Sequence, residues 1–183
     1  MSEKKRRLVE KIMDPEYPGD LKGRSLEDLR AMRDEGREGE NELSFERRLC
    51  QARIDILTAE LERRTGDGEA SGDLVDRLPQ ILATETVRSR GDRLIPERAP
   101  DFSVPRNADV PRRRVEEIAG EQTLARLSGL STEEIRGIIG SLGEHEAHVS
   151  ERRRKVQTVV DSIQAEIVRR YVSGEADPTA ALG

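Results

Sequence analysis

The sequence predicts an all-α chain: a long antiparallel helical hairpin of coiled-coil type with additional short helices. Three observations lead there. Glu, Arg, Leu and Ala dominate the 183 residues, and no stretch sustains the alternation of a strand. Charged residues make up 38% and hydrophobic ones 34%, with two Phe, two Tyr and no Trp, so a thick globular core lacks both bulk and anchors. Finally, residues 25–64 align without a gap on residues 131–170.

That internal repeat is dense. Ser25 matches Ser131, Glu27 matches Glu133, Arg30 matches Arg136 and Ala59 matches Ala165, while Arg63 and Arg64 match Arg169 and Arg170. The apolar positions track as well: Leu29 with Ile135, Met32 with Ile138, Leu43 with Val149, Cys50 with Val156, and Leu57 with Ile163.

Taken in order, residues 1–24 form an N-terminal segment with a short amphipathic helix, carried by Leu8, Val9, Ile12 and Met13 and closed by Pro15 and Pro18. Residues 25–65 are the first long helix and 131–173 the second. Each opens with a serine followed by acids, Ser25-Leu-Glu-Asp and Ser131-Thr-Glu-Glu, the pattern that satisfies first-turn amides. Each stops at a glycine, Gly66 or Gly174, shortly after a basic last turn. The connector 66–130 holds an amphipathic stretch at Asp73–Val87, a proline-rich extended run at 92–111, and renewed helical character from Arg112 to Leu127. Residues 174–183 read as a flexible tail.

From Leu43 the apolar residues fall at 43, 50, 54, 57 and 61, and in the second helix at 149, 156, 160, 163 and 167, the alternation of a coiled-coil seam. The two seams can meet antiparallel or parallel within the chain, or meet a partner's helices. An intramolecular antiparallel hairpin is the preferred arrangement.

Beside the seam each helix carries five polar residues at identical spacing: Glu40, Ser44, Arg47, Gln51 and Asp55, then Glu146, Ser150, Arg153, Gln157 and Asp161. Steps of four, three, four and four keep them on one helical face, within an arc of roughly 80°. Acid, hydroxyl, guanidinium and amide are poor core fillers, yet together they offer every hydrogen-bonding type that a polar planar ligand requires. Arginine can bond the acceptor edge of guanine, stack on its plane or hold a phosphate, and carboxylates accept from guanine's N1 and N2 hydrogens. Having the set twice suits a ligand with internal two-fold symmetry. The alternative reading is a solvated, salt-bridged face on a ligand-independent scaffold or adaptor, which accounts for the seam but not for the recurrence of Ser and Gln beside Arg and Asp.

Other function classes find little support. A net charge of -5 with both signs interspersed offers no basic stripe for a phosphate backbone, so direct DNA binding is not expected. His145 and His148 lack the partners of a metal site and read as solvated surface residues; no metal is expected. No phosphate loop or nucleophile-base pair can be assembled, so the chain is not expected to be an enzyme. The single cysteine, Cys50, sits at a seam position and reads as a small buried hydrophobe. With no signal peptide and no apolar run of membrane-spanning length, a cytoplasmic location is expected.

The doubled E-x3-S-x2-R-x3-Q-x3-D pattern, complete at all ten positions, resembles the signature of RsiG, the cyclic di-GMP-responsive anti-sigma factor family of sporulating actinobacteria. The resemblance rests firmly on about 16 residues of each copy and less directly on the 40-residue alignment, with no recognisable signature in residues 1–24, 66–130 or the tail from Val172. It implies that the motif helices form an antiparallel coiled coil that seats two cyclic di-GMP molecules. It further implies that the loaded chain sequesters a WhiG-type sigma factor from RNA polymerase. Carried over by position, Arg47 and Arg153 would stack on or bond guanine. Asp55, Asp161, Glu40 and Glu146 would take its donor hydrogens, and Ser44, Ser150, Gln51 and Gln157 would complete the bonding.

Overall fold

The computed structural model describes residues 3–66 and 113–175. All regular structure among them is helical: α1 (Glu3–Met13), α2 (Leu26–Thr65), α3 (Arg114–Ala119), α4 (Glu121–Ala125) and α5 (Thr132–Val172), with single 3-10 turns at Leu21–Gly23 and Leu127–Gly129. The all-α class is therefore correct. The stretch Asp73–Val87, the proline-rich run 92–111 and the tail beyond 175 lie outside the described residues. Where renewed helical character was expected, Gly120 splits the segment into α3 and α4.

Both long helices start where their serines place them. Asp28 N donates to Ser25 Oγ at 3.0 Å, and the same hydroxyl donates to Asp28 Oδ2 at 2.6 Å. At α5 the exchange is a full capping box: Glu134 N donates to Ser131 Oγ at 3.2 Å and Ser131 N donates to Glu134 Oε2 at 2.7 Å. Gly66 and Gly174 follow the two helices at φ of 75° and 74°, a left-handed conformation that glycine adopts without a Cβ penalty.

The described residues fall into two compact units, 3–45 with 150–175 and 46–66 with 113–149, so that α2 and α5 contribute to both. In the first unit Leu29 and Met32 of α2 pack with Ile163 and Ile167 of α5, joined by Tyr17, Leu21 and Tyr171. Further along, Gly36 meets Val160 and Gly39 meets Val156 together with Val9 and Ile12 of α1. Rising numbers in one helix against falling numbers in the other make the pairing antiparallel. The glycines permit it: a Cβ at Gly36 would lie 2.5 Å from Val160 Cγ2.

The second unit repeats the design. Cys50 and Leu57 of α2 cluster with Ile135 and Leu142 of α5, and Val115, Ala119 and Leu127 close the cluster. Arg53 donates to the carbonyls of Val115 and Ala119 and pairs with Glu116, which satisfies the C-terminal end of α3. The duplication is longer than the sequence alignment suggests. Val9 and Val115, Ile12 and Ile118, and the two 3-10 turns keep the same offset as the long helices.

A matching clasp closes each unit. Glu60, 3% exposed, accepts from Arg63 at 2.8 Å and Arg64 at 2.7 Å, and Arg64 donates onward to the carbonyls of Leu130 and Leu127. In the first unit Glu166 accepts from Arg169 at 2.9 Å and Arg170 at 2.8 Å, and Arg170 donates to Leu21 O and Lys22 O at 2.8 and 3.0 Å. Each clasp fastens the end of one long helix to the turn that precedes the other.

The bonds from Arg63 and then Arg64 outweigh burial and hold the Glu60 carboxyl at about 2, against an ordinary 4.5. Because the folded value lies below the unfolded one, this stabilisation is complete above pH 4.5 and is lost as the pH falls toward about 2. Glu60→Gln is expected to cost about 2 kcal/mol at neutral pH, from lost charge-assisted hydrogen bonds. It should also shallow the acid limb of stability in urea titrations; an unchanged limb would show that the clasp contributes nothing. Gly36→Ala is expected to lower the melting temperature despite its better helix propensity, because overpacking costs about 1–3 kcal/mol. Val160→Ala should restore part of the loss, and a Gly36→Ala variant as stable as the parent would contradict the close approach.

Candidate functional site

The antiparallel register redistributes the two motif copies. Glu40 and Ser44 of the first copy lie in the first unit with Ser150, Arg153, Gln157 and Asp161 of the second. Glu146 of the second copy lies in the other unit with Arg47, Gln51 and Asp55 of the first. Each unit thus holds a mixed set of motif residues.

Within each set the acid of one copy meets the arginine of the other. Arg153 Nη1 lies 3.6 Å from Glu40 Oε1, and Arg47 Nη1 lies 3.6 Å from Glu146 Oε1. Gln51 Nε2 donates to the same Glu146 oxygen at 3.4 Å. At 3.6 Å these contacts are attractive but longer than the ~2.7–2.9 Å of a charge-assisted hydrogen bond. The side chains are 15% to 29% exposed, enough shelter to raise the local field above that of a surface pair while leaving them reachable. Ser44, Gln51, Asp55, Ser150 and Gln157 are half-buried and Asp161 is exposed.

Two readings of individual residues need attention. His148 is exposed as expected, but His145 is not a solvated surface residue: its Nε2 lies 2.8 Å from Glu46 Oε1, with side chains 15% and 18% exposed. The reason is position. One residue before Glu146, it falls on the seam's other flank, where the repeat places Gly39 in the first unit. Cys50 is fully buried, and burial, reinforced by the Glu46 and Glu146 carboxylates, pushes its thiol up to about 12. It behaves as a hydrophobe. Among the described residues no cluster of His, Cys, Asp and Glu could hold a metal ion, and no helix is long and apolar enough to cross a membrane.

Residues that the sequence reading passed over include Arg53, the Glu60 and Glu166 clasps, and Tyr17. A signal for the clasps was present, since Glu60-x2-Arg-Arg and Glu166-x2-Arg-Arg recur at the repeat offset. Read as basic last turns alone, they gave no hint of reaching another segment. Arg53 has no counterpart in the second copy, where Val159 stands, so the repeat could not flag it.

The described residues thus form a helical fold that carries a duplicated polar face. The RsiG-like family model matches residues 15–82 and 121–182, well over half of the chain, and each matched region contains one motif copy. The chain belongs to the RsiG-like family, a family of regulatory anti-sigma factors. No curated protein matches it.

If the crossed pairs hold the motif faces together, Glu40→Gln and Arg153→Gln should be non-additive. A double-mutant cycle is expected to give a coupling of about 0.5–1 kcal/mol, and the same for Glu146 with Arg47. Additive losses would mean that the pairs are proximity without interaction.

Proposed function

We propose that the chain is an anti-sigma factor gated by cyclic di-GMP, which binds the two sets of motif residues as a pair of molecules and enables the chain to sequester a WhiG-type sigma factor from RNA polymerase. The observation that carries this reading is the crossed pairing of Glu40 with Arg153 and Glu146 with Arg47 at the same 3.6 Å. Each set joins the Glu of one copy to the Arg, Gln and Asp of the other, and two such sets suit a ligand whose halves are chemically identical.

The chemistry follows from the side chains. Arg47 and Arg153 carry planar forks that stack on guanine or bond its O6 and N7, and their 3.6 Å contacts to Glu146 and Glu40 are longer than a charge-assisted hydrogen bond. Once an arginine turns to guanine or phosphate, Glu146 or Glu40 is released to accept from the base's N1 and N2 hydrogens, with Asp55 and Asp161 able to do the same. Gln51, Gln157, Ser44 and Ser150 supply neutral donors to phosphate and ribose oxygens. An arginine that turns to phosphate keeps an ion pair, whereas one that turns to guanine, like the glutamate it leaves, trades the ion pair for charge-assisted hydrogen bonds to a neutral base.

Gating requires that ligand bind the sigma complex better than the free chain, and linkage then tightens sigma binding by the same factor. The competing reading, a ligand-independent helical scaffold, draws on the contacts of Glu40 with Arg153 and of Glu146 with Arg47 and Gln51.

Calorimetric titration with cyclic di-GMP, using GTP and cyclic di-AMP as controls, separates the two. Selective binding that is lost in Arg47→Ala and Asp55→Ala, with helicity intact, is expected. Absence of binding by the parent chain, or equal affinity in the variants, would refute the ligand assignment.

A further inference from the structure

The duplication supplies an internal comparison, because the same position relative to the repeat is filled in one unit and open in the other. In the first unit Tyr17 lies between α1 and α2. Its hydroxyl donates to Glu35 Oε2 at 3.0 Å and sits 3.4 Å from Met32 O, and Lys11 Nζ stands 5.4 Å from its ring centroid. Lys11 also pairs with Glu35 at 2.8 Å. Burial and the Glu35 carboxylate push the Tyr17 hydroxyl well above its ordinary range, as expected of a ring built into the packing.

In the second unit the residues equivalent to Lys11, Met32 and Glu35 are Glu117, Ile138 and Ser141, and all three line an open groove of about 580 Å³ between α3 and α5. Its apolar part is Ile118, Ile138 and Leu130, each only partly buried. At Tyr17's position in the repeat stands the smaller Thr123, which is not among the residues that line the groove. Gly137, also in the lining, leaves the wall low: a Cβ there would meet nothing within 4 Å.

The charges have changed in step. Where Lys11 supplies a cation in the first unit, Glu117 and the nearby Glu134 make the rim of the groove mainly acidic, with Arg114 paired to Glu117 at 3.0 Å. Among the described residues no aromatic ring lines the groove, and the cation in its lining, Arg114, is paired with Glu117 and leaves Glu134 as a further acid on the rim.

We propose that this groove is a docking site for the partner sigma factor, which inserts an aromatic side chain flanked by a lysine or arginine, reproducing the Tyr17 and Lys11 constellation of the first unit. The proposal rests on the sigma-factor reading above and adds to it the surface and the chemistry of recognition. A buried aromatic anchor in an apolar pocket with a complementary charged rim has the character of an interface hot spot.

The test uses the full chain loaded with cyclic di-GMP and a purified WhiG-type sigma factor. Gly137→Phe fills the groove from a position where its Cβ has room, and Glu117→Lys reverses the rim charge at an exposed site. Each is expected to weaken sigma binding at least about tenfold, the loss of one anchor or charge pair, while the affinity for cyclic di-GMP stays within about twofold. A photocrosslinking residue at 137 should mark a sigma peptide in which an aromatic neighbours a lysine or arginine. Sigma affinity unchanged in both variants, or a crosslink to a peptide without an aromatic, overturns the groove assignment and leaves the gating reading standing. A parent chain that binds no sigma factor overturns both.

Discussion

The register between α2 and α5 depends on two clasps built on buried carboxylates, Glu60 with Arg63 and Arg64 and Glu166 with Arg169 and Arg170. A buried carboxylate is costly unless its lone pairs are met, and here two guanidiniums meet them. The second guanidinium of each pair then spends its remaining donors on carbonyls of the 3-10 turn before the opposing helix. A seam of aliphatic side chains tolerates sliding by a heptad; a fork aimed at particular carbonyls does not. In this way the polar ends, more than the apolar seam, determine which residues face each other.

Register in turn determines the composition of the candidate site. With the helices locked as they are, Glu40 faces Arg153 and Glu146 faces Arg47. A shift of one helical turn would bring other side chains opposite each arginine and dissolve the mixed sets. The ligand chemistry proposed for the chain is thus contingent on contacts made at the helix ends by Glu60 and Glu166, which follow Asp55 and Asp161 by little more than one turn.

Against this common frame the two units differ in ways that carry information. Gly36 and Gly39 of the first unit correspond to Leu142 and His145 of the second, and Val160 and Val156 correspond to Ile54 and Cys50. One unit packs by removing side chains from α2, the other by keeping a leucine and a histidine that contacts Glu46 on α5. Duplication preserved the polar motif and the clasps while the packing around them diverged.

Much of this was legible beforehand. The helical class, the serine starts at Ser25 and Ser131 and the glycine stops are local chemistry, written in cap residues and periodicity, and sequence alone determined them. The ten motif positions were equally plain, because repetition in a single chain separates a selected pattern from ordinary surface polarity. Tertiary structure alone decided which copy's glutamate meets which copy's arginine, that Arg53, Arg64 and Arg170 reach backbone carbonyls distant in sequence, and that Tyr17 bonds Glu35 while the second unit's counterparts of Lys11, Met32 and Glu35 line a groove. These are pairings between segments, and periodicity along one helix holds no term for the register against another.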